Sequence, residues 1–126
     1  MIRGVGVDII EVARIRGATE RFGERFLQRI LRPAEIAYCQ SFKDPAPHLA
    51  ARFAAKEAVS KAFGTGIGAA LGWQDMEVAH HPGGQPYLVL HDGGRELLAA
   101  RGGGEIHLSL SHTVNYGAAV AVWDVP

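Results

Sequence analysis

The strongest constraint on the fold is the stretch Leu49 to Phe63, which is rich in alanine and free of Gly and Pro. High intrinsic propensity over that length predicts a helix, and Gly64 directly after it is a natural stop in the left-handed region. Ala51, Ala54, Ala55, Ala58 and Ala62 are small enough to let neighbouring elements approach closely. Phe53, Glu57 and Lys61 follow at i, i+4 and i+8, so they share one face. The second informative segment is Gly4-Val5-Gly6-Val7-Asp8, within a predicted strand from Ile2 to Ile10. Alternation puts Arg3, Val5, Val7 and Ile9 on one side and Gly4, Gly6 and Asp8 on the other. Two positions without side chains beside a carboxylate leave room for another backbone or a ligand.

Glu11 to Leu31 reads as helical and broken near Gly23, with Phe22, Phe26 and Ile30 as an apolar stripe at four-residue spacing. Arg14, Arg21, Arg25, Arg29 and Arg32 form a basic stripe along the same segment. Such a stripe is a solvated helix face or a surface for an acidic protein; Glu11, Glu20 and Glu24 partly neutralise it. Pro33 suits the first turn of a short helix running to Gln40, and residues 41–48, with Pro45 and Pro47, read as a loop. The second half reads mostly as strands: 75–80 and 87–91 around a Pro-Gly-Gly turn, then 106–110 and 116–123, with a short helix at 95–101. Ile106, Leu108 and Leu110 are expected to point inward, and His107, Ser109 and Ser111 outward. An α+β fold follows, with an antiparallel sheet and helices packed on one face. At 126 residues the expectation is a single domain, 1–126.

Composition removes several classes of function. Formal net charge is zero, so no global field attracts nucleic acid. The single Cys39 excludes an internal disulfide and a cysteine zinc cluster. No apolar run reaches membrane-spanning length, and Asp8 comes too early for a secretory signal, so a cytoplasmic setting is expected. Gly64-Thr65-Gly66-Ile67-Gly68 follows a helix, whereas a dinucleotide fingerprint follows a strand. Ser111 and His112 are strand neighbours that point apart, which is wrong for a nucleophile and its base. His80, His81, His107 and His112 lack metal-ligand spacing.

Glu57 four residues before Lys61 is, alone, an ordinary helix-surface ion pair. Set beside Asp8 it acquires a second meaning. A hard cation such as Mg²⁺ is commonly held by one or two carboxylates together with substrate phosphates. Asp8 and Glu57 supply carboxylates and Lys61 an ammonium, which points to an enzyme acting on a phosphate-bearing substrate.

These segments resemble the bacterial holo-[acyl-carrier-protein] synthases, the short type of 4′-phosphopantetheinyl transferase. The anchors are Gly4 to Glu11 with Arg14-Ile15, Ala51 to Ala58 with Lys61 to Gly68, and His107 to His112 followed by Tyr116-Gly117-Ala118. The resemblance implies transfer of 4′-phosphopantetheine from coenzyme A to a serine of apo acyl carrier protein, in support of fatty acid biosynthesis. It implies Asp8 and Glu57 as Mg²⁺ ligands, Lys61 against the phosphates, and Glu57 as base, directly or by way of a water on the metal. Arg52 and His107 would lie near the nucleotide, Gly64, Thr65 and Gly66 along the pantetheine and pyrophosphate channel, and Ser111 at the pyrophosphate. Arg14, Arg21 and Arg25 would form the carrier-protein surface. Longer members carry two such halves, so one half per chain implies a site completed by another subunit, and the likeness to the short members implies a homotrimer.

Overall fold

The computed structural model describes all 126 residues. Strand β1 (Ile2–Glu11) leads into α1 (Val12–Phe22), α2 (Glu24–Ile30), α3 (Pro33–Gln40) and the long α4 (Ala46–Phe63). A 3₁₀ turn (Trp73–Asp75) precedes the hairpin β2 (Met76–His80) and β3 (Pro86–Leu90). Helix α5 (Asp92–Ala100) and the hairpin β4 (Glu105–His112) and β5 (Tyr116–Asp124) complete the chain. The expected antiparallel sheet is present as β1-β5-β4, and β2 with β3 forms a separate antiparallel pair.

Helix α4 lies directly on β1 and β5, and glycines make this possible. A Cβ at Gly4 would fall 1.9 Å from the Ala62 carbonyl oxygen, and one at Gly6 would fall 1.8 Å from that of Ala58. On β5, a Cβ at Gly117 would meet the Ala50 carbonyl carbon at 2.8 Å. Two strand residues advance about 6.7 Å and four helix residues about 6 Å, so strand and helix keep step through both β1 contacts. The alanines of α4 serve the same seam: Ala50, Ala54, Ala55 and Ala58 are completely buried.

Several boundaries differ from expectation. Helix α4 begins at Ala46, with Pro47 in its first turn where its missing N–H has no helical partner to lose. Helix α5 begins at Asp92 and runs through Gly93 and Gly94. Of the expected Phe22-Phe26-Ile30 stripe, Ile30 is buried in the core and Phe26 packs against it, but Phe22 drops out. Gly23, at φ 62°, separates α1 from α2 and resets the phase, leaving Phe22 56% exposed. Val12 and Ile15 of α1 and Leu27 of α2 face the core beside Ile30.

Candidate active site

Asp8, Glu57 and Lys61 are brought together where β1 meets α4. Asp8 follows Gly4 and Gly6 on the face that α4 covers, and its carboxylate remains partly accessible. Lys61 turns away from the helix-surface pairing that its spacing allowed. Its Nζ donates to Asp8 Oδ1 and to the Val7 carbonyl, both at 3.0 Å. Glu57 stands between two opposing influences. Burial raises its carboxyl above the usual range, the Asp8 charge raises it further, and Lys61 pulls it down. Two carboxylates that repel each other beside an ammonium suit a divalent cation that draws its other oxygens from phosphate or water. No third His, Cys, Asp or Glu joins them to make a closed all-protein metal cage.

The glycine loop starts at the end of the same helix. Gly64 caps α4 at φ 79°, and the Thr65 and Gly66 amides both donate to the Ser60 carbonyl. The Thr65 hydroxyl is turned onto the Gly66 carbonyl at 2.8 Å. This ties the loop's first residues down one turn beyond Lys61.

Arg52 lies elsewhere on α4 and is only 2% exposed. One terminal nitrogen donates to the His48 carbonyl at 3.3 Å and the other sits 3.2 Å from His80 Nδ1. The guanidinium carbon lies 4.2 Å from the Tyr38 ring centre, and Nε has no partner. His80 stacks on Tyr38, Phe42 stacks on His48, and His48 meets His112 edge-on at 4.7 Å. Burial, then neighbouring positive charge, depresses both His48 and His80, favouring neutral rings beside the charged guanidinium. Sequence reading missed this aromatic and imidazole cluster. Its members come from α3, α4, β2, β4 and the loop before α4; four-residue spacing links Tyr38 to Phe42 and His48 to Arg52, but none links these pairs to each other, to His80 or to His112.

His107 and Ser111 do not join Asp8 within one chain. They project from the sheet face opposite α4, in register with Val122 and Ala118, which in turn pair with Val5 and Ile9. His107 also borders a cleft of about 760 Å³ between β3, α5 and β4, floored by Leu88, Leu98, Leu108 and Leu110. None of Asp8, Glu57 and Lys61 lines that cleft.

Arg14, Arg21 and Arg25 are exposed on α1 and α2. Between them lies a shallow groove of Ala18, Phe22 and Phe26, edged by Arg25 and Arg29, and Arg21 stands over the Phe22 ring. Arg32 leaves the stripe. It donates to the Gln74 carbonyl at 2.7 Å and approaches Glu77 at 3.7 Å, so its charge is used inside the fold.

The second unforeseen feature is Lys56, which has no exposed side-chain surface and pairs with the equally buried Glu35 at 2.7 Å. The fully buried alanines at 54, 55 and 58 around it were the available signal, because they mark that side of α4 as interior.

Residues 4–120 match the model of the 4′-phosphopantetheinyl transferase superfamily. A holo-[acyl-carrier-protein] synthase of Koribacter versatilis is 49% identical over 122 residues, covering 97% of this chain and 98% of that protein. The crystal structure of the Neisseria meningitidis holo-[acyl-carrier-protein] synthase superposes with a TM-score of 0.92 at 35% identity, covering 98% of this chain and 99% of that one. The Helicobacter pylori holo-[acyl-carrier-protein] synthase in complex with coenzyme A gives a TM-score of 0.86 at 34% identity, covering 95% of this chain and 99% of that one. A close Asp8–Glu57–Lys61 group on a fold shared over nearly its whole length leads to one assignment: this chain belongs to the 4′-phosphopantetheinyl transferase superfamily.

Proposed function

We propose that the chain is a holo-[acyl-carrier-protein] synthase. It transfers 4′-phosphopantetheine from coenzyme A to a serine of apo acyl carrier protein and releases adenosine 3′,5′-bisphosphate. The observation that carries this reading is the meeting of Asp8, Glu57 and Lys61 at one point of the β1–α4 seam, in a fold whose relatives include a coenzyme A complex.

Asp8 and Glu57 are the residues that would hold Mg²⁺. The cation would supply neutralisation of the pyrophosphate and of charge growing on the transferred phosphoryl group. Lys61 adds its ammonium to the same oxygens, exchanging its bond to Asp8 for the substrate. Glu57 takes the proton of the attacking serine, directly or through a water. A carboxylate that holds a cation is a poorer base than a free one, which favours the route through a water. The Gly64–Gly66 turn borders the pantetheine and pyrophosphate channel, and Arg52 and its cluster serve the nucleotide end.

The bare side of the sheet supports self-assembly. Val5, Val7 and Ile9 are 60%, 61% and 65% exposed, and Val120 beside Val7 is 38% exposed. Contiguous exposed apolar surface of this kind marks an interaction site. A homotrimer closed through this face would carry His107 and Ser111 towards a neighbour's site, which accounts for their separation from Asp8. The basic groove on α1 and α2 suits the acidic carrier protein. Residues 1–126 act as one catalytic domain in this reading, in the cytoplasm where fatty acid biosynthesis consumes holo carrier. No helix is long and apolar enough to cross a membrane.

The test is direct. The protein is mixed with coenzyme A, Mg²⁺ and apo carrier protein, and the carrier is weighed. A gain of one phosphopantetheine per carrier is expected; an unchanged carrier mass overturns the assignment.

A further inference from the structure

Lys56 adjoins Glu57 in sequence but points into the interior, and every donor on its ammonium is used. Its Nζ donates to the Ile30 carbonyl at 2.8 Å, to Glu35 Oε1 at 2.7 Å and to the Trp73 carbonyl at 3.1 Å. Glu35 is equally occupied: Oε1 also accepts the Arg32 amide at 2.8 Å, and Oε2 accepts the Val78 amide at 2.9 Å. One ion pair therefore joins the last residue of α2, the first turn of α3, the 3₁₀ turn and β2 to the catalytic helix. Gln74 adds a second strap, donating to the Gln28 and Leu31 carbonyls at 2.7 and 2.8 Å. Trp73, held by Lys56, also packs on Phe53 at 4.9 Å, one turn before Glu57 on the same helix face.

Stability is a poor reason for such a pair. A buried ion pair recovers little more than its desolvation cost, and apolar residues of similar volume are often as good. What the pair supplies is direction, because each of its bonds fixes one named backbone group. We propose that the Lys56–Glu35 pair and the Gln74 strap together act as positioning residues for the transfer, holding α2 and its part of the docking surface in register with Glu57 so that a docked serine meets the phosphorus. This rests on the reading that α1 and α2 receive the carrier protein.

The chemistry of position sets the size of the effect, since a displacement of about 1 Å can cost on the order of 100-fold in rate. The test is steady-state kinetics at several salt concentrations for the parent, for the double variant Glu35→Leu/Lys56→Met, and for Gln74→Ala. The double variant removes both charges together and leaves none unpaired. Its kcat should fall at least about tenfold, with KM for carrier and for coenzyme A within about twofold of the parent. Gln74 is exposed, so Gln74→Ala folds even if the double variant does not; its kcat should fall about threefold or more. If the double variant fails to fold, Gln74→Ala decides alone. Parental kcat in every folded variant, or a loss spread equally over both KM values, makes the pair merely structural and overturns the proposal. A parent whose carrier kcat/KM does not respond to salt overturns the docking reading instead, whatever the variants do.

Discussion

Replacing Gly6 with alanine tests how tightly fold and site are tied. The new methyl would sit 1.8 Å from the Ala58 carbonyl oxygen and 2.8 Å from both the Ala58 carbonyl carbon and the Ala62 nitrogen. These are helix backbone atoms and cannot swing aside. Carbon–oxygen contacts begin near about 3.3 Å, so α4 must retreat from β1 by roughly 1.5 Å. Overpacking of this severity costs at least about 3 kcal/mol, out of a total stability of about 5–15 kcal/mol. A chain of this length gains roughly 0.26 kcal/mol/K of entropy on unfolding, so Tm should fall by about 10 °C or more. Activity should suffer beyond that. Asp8 stays with the strand while Glu57 and Lys61 travel with the helix, and a shift of about 1 Å in such groups costs on the order of 100-fold. Gly17→Ala is the control, because nothing lies within 4 Å of that position on α1. It should gain about 0.5–1 kcal/mol and keep full turnover. Thermal melts and carrier-modification rates, taken well below both melting points, give the answer. A Gly6→Ala protein that melts within about 2 °C of the parent and turns over normally would refute the packing argument.

Asp8→Ala and Glu57→Ala should each abolish carrier modification while the circular dichroism spectrum stays native; near-full activity across a Mg²⁺ titration would remove that residue from the ligand set. The raised Glu57 carboxyl makes a signed prediction for the metal-free protein, because a group whose folded pKa is raised stabilises in its protonated form and loses that contribution as pH rises through the folded value. Glu57→Gln should therefore raise Tm at neutral pH, with the gain vanishing below the ordinary glutamate value of about 4.3; an equal gain at all pH values would deny the shift. Arg14→Glu with Arg21→Glu should raise KM for carrier protein and flatten its salt dependence, leaving KM for coenzyme A unchanged; the reverse pattern in kinetics would place the arginines at the nucleotide. Val7→Asp, at the centre of the exposed apolar face, should convert a trimer seen by light scattering into an inactive monomer, and a fully active monomer would sink the shared-site reading.

The reach of the sequence differs from residue to residue. Alternation on β1 placed Asp8 beside the glycines because a strand has a fixed period of two, and the period of α4 placed Glu57 and Lys61 on one face. Those local rules sufficed for the central group. They could not say that Lys61 bonds Asp8 rather than Glu57, because that choice depends on how close β1 comes, which the glycines set. Phe22 left its expected stripe for a related reason, while Phe26 and Ile30 kept to it. A helical period holds only while the helix is unbroken, and one residue at positive φ cancels it. The Arg52 and Lys56 networks were illegible because each depends on partners distant in the chain: His80 lies 28 positions from Arg52, and the partners of Lys56 lie 17 to 26 positions from it. Only the folded path of α3, the 3₁₀ turn and β2 brings those partners to α4.

The central claim is that Asp8, Glu57 and Lys61 together transfer a phosphopantetheinyl group to a carrier serine. The most direct measurement follows both products at once, holo carrier by mass and adenosine 3′,5′-bisphosphate by chromatography, with coenzyme A and Mg²⁺ supplied. The two should appear in equal amounts with the parent protein, and neither should appear with Asp8→Ala or Glu57→Ala. Nucleotide release without carrier modification, or equal product formation by either variant, would contradict it.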